Sequence, residues 1–148
     1  MAASLLARLW QDLRLPIEDA LYTADGWGYD VEPNPEAPGG LEFGERFDLA
    51  ELLREDEDWM SEIDPMREVE LPGGAGYLCG GEGSHGSEGF FGRLDADRKP
   101  VWIVFLADGN PFLDIAVHGD TATFTSTSGI AITLDLDHPV PENHPDES

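Results

Sequence analysis

Apolar residues change their spacing partway along this chain. Between Ser4 and Leu15, Leu5, Leu6, Leu9 and Leu13 recur at near-helical intervals with Trp10 beside them. Arg8, Gln11 and Asp12 fall elsewhere on the wheel, so the pattern predicts an amphipathic helix. Pro16 ends it, because the residue before a proline avoids helical angles. Gly26 to Val31 reads as a strand, and Glu32 to Gly40, with three prolines and two glycines, reads as an exposed loop.

A second helix is predicted from Asp48 to Asp64. Asp48 and Glu51 have the spacing of a capping box, which satisfies orphaned backbone donors at a helix start. Leu49, Leu52, Leu53, Met60 and Ile63 make an apolar stripe, and Pro65 supplies the stop. On that helix Glu51, Glu55, Asp58 and Glu62 fall within about 60° of one another, nearly opposite the stripe. Asp56 lands among the apolar positions.

Gly73 to Gly92 holds nine glycines in twenty residues and reads as a loop rather than a helix. From Phe90 onward the period becomes two. Val101 to Leu106 is apolar on both faces, which suits a central strand. Leu113, Ile115 and Val117, then Ala122 and Phe124, then Ile130, Ile132, Leu134 and Leu136 alternate with small, polar or charged residues. Asp108-Gly109-Asn110, His118-Gly119-Asp120 and Ser128-Gly129 supply turns. The predicted fold is α+β: an antiparallel β-meander of about five to six strands with two N-terminal-half helices packed on one face. Residues 1–137 read as a single domain and 138–148 as a flexible acidic, Pro-rich tail.

Charge sharpens this picture. The 148 residues carry 31 acidic and 8 basic side chains, a formal charge of -23, with Lys99 the single lysine. Nucleic-acid affinity comes mainly from Lys and Arg contacts to phosphate, so direct DNA or RNA binding is excluded as an expectation. An acidic surface instead attracts basic partners and speeds their arrival. A genome-wide acidic bias produces the same total, so clustering has to carry the functional argument. No stretch of 18 apolar residues occurs, and Met1 to Leu6 lacks a basic leader segment, which points to a cytoplasmic protein without a membrane role. Cys79 is the only cysteine, which excludes an internal disulfide.

Motifs for catalysis are weak. Gly81 to Gly86 matches the letters of a dinucleotide fingerprint, but a strand follows where a helix is needed, and Glu82 would repel phosphate. Neither Ser84 nor Ser87 has the flanking glycines of a hydrolase elbow. Cys79 and His85 could meet across a turn as thiolate and base, although a small buried thiol explains Cys79 as well. Asp135, Asp137, His138, Glu142 and His144 are the best metal-ligand types, with nothing in the sequence to fix their geometry. Asp95-Ala96-Asp97 lacks the glycine and distal glutamate of a calcium loop. No catalytic residue, cofactor or metal is expected.

The run Gly80-Gly81-Glu82-Gly83-Ser84-His85-Gly86-Ser87-Glu88-Gly89-Phe90-Phe91, the strand Val101 to Phe105 and the turn Asn110-Pro111-Phe112 resemble small bacterial immunity proteins of polymorphic-toxin systems. The resemblance covers roughly the second half of the chain. It implies a single acidic cytoplasmic domain that binds a cognate toxin and blocks its active site, with Glu82 and Glu88 as contacts.

The function expected is therefore that of an acidic protein neutralising a basic protein partner, such as a nuclease-type toxin domain. Glu51, Glu55, Asp58 and Glu62 would attract the partner. Trp27, Tyr29 or Trp59 would serve as an aromatic anchor where exposed. Two alternatives stand beside it: a small ligand-binding domain or enzyme using the Gly73–Gly92 loop with His85, and a DNA-mimic inhibitor.

Overall fold

A computed structural model describes residues 4–55 and 58–141. Helix α1 spans Leu5–Gln11 and α2 spans Leu49–Glu55. The strands are β1 (Arg14–Pro16), β2 (Ala20–Thr23), β3 (Trp27–Pro33), β4 (Leu41–Asp48), β5 (Met60–Glu70) and β6 (Tyr77–Gly83). They continue with β7 (Gly89–Leu94), β8 (Pro100–Leu106), β9 (Phe112–His118), β10 (Thr121–Ser126) and β11 (Ala131–Asp135). Eight form a curled antiparallel sheet in the order β1-β5-β6-β7-β8-β2-β3-β4, and β11-β10-β9 form a second sheet.

The predicted meander of five to six strands with two packed helices is thus wrong: among the described residues eleven strands dominate and both α-helices are short. Specific contacts account for these departures. Ser4 caps α1 as its hydroxyl accepts from the Ala7 amide at 3.0 Å, but Leu13, at φ 53°, turns the chain out well before Pro16. Arg14–Pro16 then pairs with Met60–Glu62. Asp48 caps α2, accepting from the Glu51 amide at 3.2 Å, and that part of the expectation holds. The helix, described to Glu55, is nevertheless over by Asp58, along a run of acidic side chains at the negative end of its dipole. Pro65 marks no helix end. It sits in β5 at a bulge, one of the few places a strand tolerates proline.

The glycine-rich segment is a strand hairpin rather than a loop. Gly80, Gly81, Gly89 and Gly92 lie within β6 and β7, all buried. A Cβ on Gly80 would stand 2.4 Å from the Phe112 carbonyl oxygen, and one on Gly89 1.9 Å from that of Asn110. These glycines therefore let the start of β9 lie directly on β6 and β7.

The strands expected around Trp27, at Val101–Leu106 and across 113–136 are present as β3, β8 and β9 to β11, with turns where expected. β8 shows why it is apolar throughout. Trp102, Val104 and Leu106 face a core closed by the smaller sheet, with Phe91, Phe112 and Phe124. Ile103 and Phe105 face a second core beneath the helices, with Leu6, Leu49, Cys79 and Phe90. From Trp102 to Leu106 the large sheet is covered on both sides, so that stretch of β8 has no wet face. In the first core Phe91 stacks on Phe124 at 4.4 Å between centroids, and Trp102 meets Phe124 edge-on at 6.1 Å. The segment after β11 is held down where the Leu136 carbonyl accepts from the Trp102 indole (3.1 Å) and from Arg93 (2.8 Å). Of the expected tail, 142–148 lies outside the described residues.

Candidate functional site

The site grows out of the β3–β4 hairpin. Pairing sets Trp27 opposite Asp48 and Tyr29 opposite Arg46, with a bulge between Tyr29 and Val31. Phe47 packs against Gly28, where a Cβ would stand 2.3 Å from its ring, and meets Tyr22 edge-on at 6.2 Å. The chain then enters α2, whose first turn brings Glu51 beside the hairpin. The result is a groove of about 670 Å³ lined by Glu18, Trp27, Asp30, Arg46, Phe47, Asp48, Glu51, Leu52 and Glu55.

Five carboxylates thus line this groove against one guanidinium. Arg46 lies over the Trp27 ring, its guanidinium carbon 4.2 Å from the centroid. Partial burial, reinforced by Glu45, raises the Asp30 carboxyl above its ordinary value, although one side of the residue meets solvent. Tyr22 behind the groove is fully buried. Burial first, then Glu18, Asp30 and Asp19, hold its phenol well above its ordinary value, and its hydroxyl donates to the Glu18 carbonyl at 3.4 Å. Such an arrangement is suited to holding a cation against an aromatic wall.

The four acidic residues predicted to share a helix face do not share one, because the helix ends before Asp58. Glu51 and Glu55 line the groove, Asp58 stands in a turn, and Glu62 is on β5 opposite Arg14. Trp59 is 52% exposed, with its indole N–H donating to the Ile17 carbonyl at 2.6 Å. Glu82 lies on β6 opposite Asp64, half-buried.

Glu88 faces inward and is only 3% exposed. Its carboxylate accepts from the Ser61 hydroxyl at 2.5 Å and from the His85 amide at 3.2 Å, with His85 Nδ1 at 3.3 Å. It ties the β6–β7 turn to β5 and leaves no surface for a partner, a role invisible without the pairing of distant strands.

The other candidates are also placed. The His85 side chain is 73% exposed at the hairpin tip, while Cys79 is buried in the core beneath the helices. Burial, then Glu68, pushes the Cys79 thiol up to about 12, so no thiolate is available to pair with His85 at neutral pH. Asp135 accepts from the Asp137 and His138 amides at 2.9 Å, and Arg93 at 2.6 Å holds the Asp137 carboxyl below its ordinary value. Asp95 likewise closes its own turn, accepting from the Asp97 and Lys99 amides. Glu142 and His144 lie outside the described residues, among which no group of three or more His, Cys, Asp or Glu is placed to hold a metal. Among the described residues no helix is long and apolar enough to cross a membrane.

Sequence reasoning missed Glu18, Asp30, Arg46 and Asp48 as site residues. The Pro- and Gly-rich run between Val31 and Leu41 was the available signal, since a turn there folds Trp27 and Asp30 back onto Arg46 and Asp48. No family model, no curated protein and no solved structure matches this chain.

Proposed function

We propose that this chain is a cytoplasmic binding protein for a basic protein partner, and that it acts as an immunity protein masking the cationic cleft of a nuclease-type toxin. The observation that carries this reading is the groove, where five carboxylates surround an aromatic wall. Enzymes that handle nucleic acid gather Lys and Arg where phosphate binds. A groove of opposite sign can occupy that cleft, and the net charge of -23 adds long-range attraction that raises the rate of encounter. Contact through the buried Glu88 is not part of the proposal. Glu51 and Glu55 are, since both are exposed on the groove rim.

The test is affinity capture from host-cell extract with wild type and a Glu51→Lys/Glu55→Lys variant, at about 50 mM and about 200 mM salt. The expected result is one basic protein held by the wild type at low salt, weakened by the variant and by salt. Its nucleic-acid-cleaving activity stops on mixing with the purified wild type. A partner held equally by the variant, or one whose activity is untouched, would overturn the proposal.

A further inference from the structure

The groove carries a second feature, and its reading rests on the proposed docking of a basic partner. Trp27 is already stacked by a cation from its own chain, the Arg46 guanidinium at 4.2 Å. That contact shows which shape of cation the wall accepts. A guanidinium is planar, weakly hydrated and able to lie on an indole while its N–H fork meets carboxylates two at a time. An ammonium is a compact, strongly hydrated point charge that gains less from either contact. Around the stacked pair, Asp30, Asp48, Glu51 and Glu55 set four carboxylates against one guanidinium. Charge complementarity therefore specifies a further cation, and the aromatic wall specifies its geometry.

We propose that the groove selects an arginine side chain of the partner. The incoming guanidinium takes the Trp27 face from Arg46 and directs its remaining donors to the carboxylates of the groove. Arg46 acts as a built-in competitor that covers the aromatic wall until the partner arrives.

Two short acetylated and amidated peptides of equal length and charge, one built from arginine and glycine and the other from lysine and glycine, provide the test. Isothermal titration on the full chain at low salt reads both affinities. The arginine peptide is expected to bind roughly 3- to 10-fold more tightly, the scale of a partly exposed cation–π contact. Trp27→Leu should bring the arginine peptide down to the level of the lysine peptide, which itself should hardly change. Trp27→Phe retains a ring, should keep part of the preference, and guards against a folding defect in the leucine variant. Arg46→Gln should tighten the arginine peptide more than the lysine peptide, whereas loss of charge alone would tighten both equally. Equal affinities in the wild type would overturn arginine selection and leave the docking groove standing. Failure of both peptides to bind would overturn both readings together.

Discussion

Replacing Gly80 by alanine tests whether the glycines of β6 are there to bring two sheets together. The residue lies in the strand interior with ordinary extended backbone, so alanine is conformationally acceptable and only space is at issue. Its Cβ would stand 2.4 Å from the Phe112 carbonyl oxygen and 3.3 Å from the carbonyl carbon, both backbone atoms that cannot rotate away. To reach the ~3.3 Å that carbon–oxygen contacts tolerate, that carbonyl must retreat by about 1 Å. Phe112 is fully buried and its ring sits 4.8 Å from that of Phe91, so the retreat disturbs the core between the sheets. Overpacking of this kind costs about 1–3 kcal/mol, partly offset by about 0.4–1 kcal/mol from the stiffer unfolded chain. Gly86→Ala is the matched control, since nothing lies within 4 Å of its Cβ position. That variant should be neutral or slightly stabilised. Urea unfolding followed by tryptophan fluorescence should separate the two by about 2 kcal/mol, or roughly 4–8 °C in Tm. Two variants agreeing within about 0.5 kcal/mol would refute the close-approach reasoning and return this segment to the status of a tolerant loop.

Cys79 should resist a thiol reagent in the native protein at mildly alkaline pH and react at once in denaturant, and rapid native labelling would refute its burial. Because its folded value, about 12, lies above the ordinary 9.0, its contribution to stability is present below pH 9.0 and is lost as pH rises toward about 12. Asp30 has the same sign, since a raised carboxyl favours the folded state while protonated and loses that contribution as pH climbs through the raised value. Asp30→Asn should therefore be more stable than wild type at neutral pH, by less than about 1 kcal/mol because solvent screens the site. The difference should vanish below the ordinary value of 3.8, and a variant less stable at neutral pH would contradict it. Binding of the arginine peptide should also weaken as pH falls through the Asp30 range, which titration calorimetry at several pH values measures.

Some of this molecule could be read directly from its residues. The Asp48 cap, the three turns after Leu106 and the strands they join depend on side chains within a few positions of one another, and each lies where the pattern placed it. The acidity that motivates a cationic partner is equally plain in the composition. What escaped reading lies in long-range pairing. Met60 to Asp64 looks helical until β1 and β6 claim its two edges. The glycines of β6 and β7 look like loop until β9 is laid across them. Glu88 looks like a surface contact until Ser61, 27 positions earlier, meets its carboxylate. The groove itself exists only because one hairpin brings Trp27 and Asp30 against Arg46 and Asp48. Local periodicity and capping report energies settled within a turn or a strand. Which face is buried, and which charges become neighbours, depends on partners distant in the chain, and those only the assembled sheets decided.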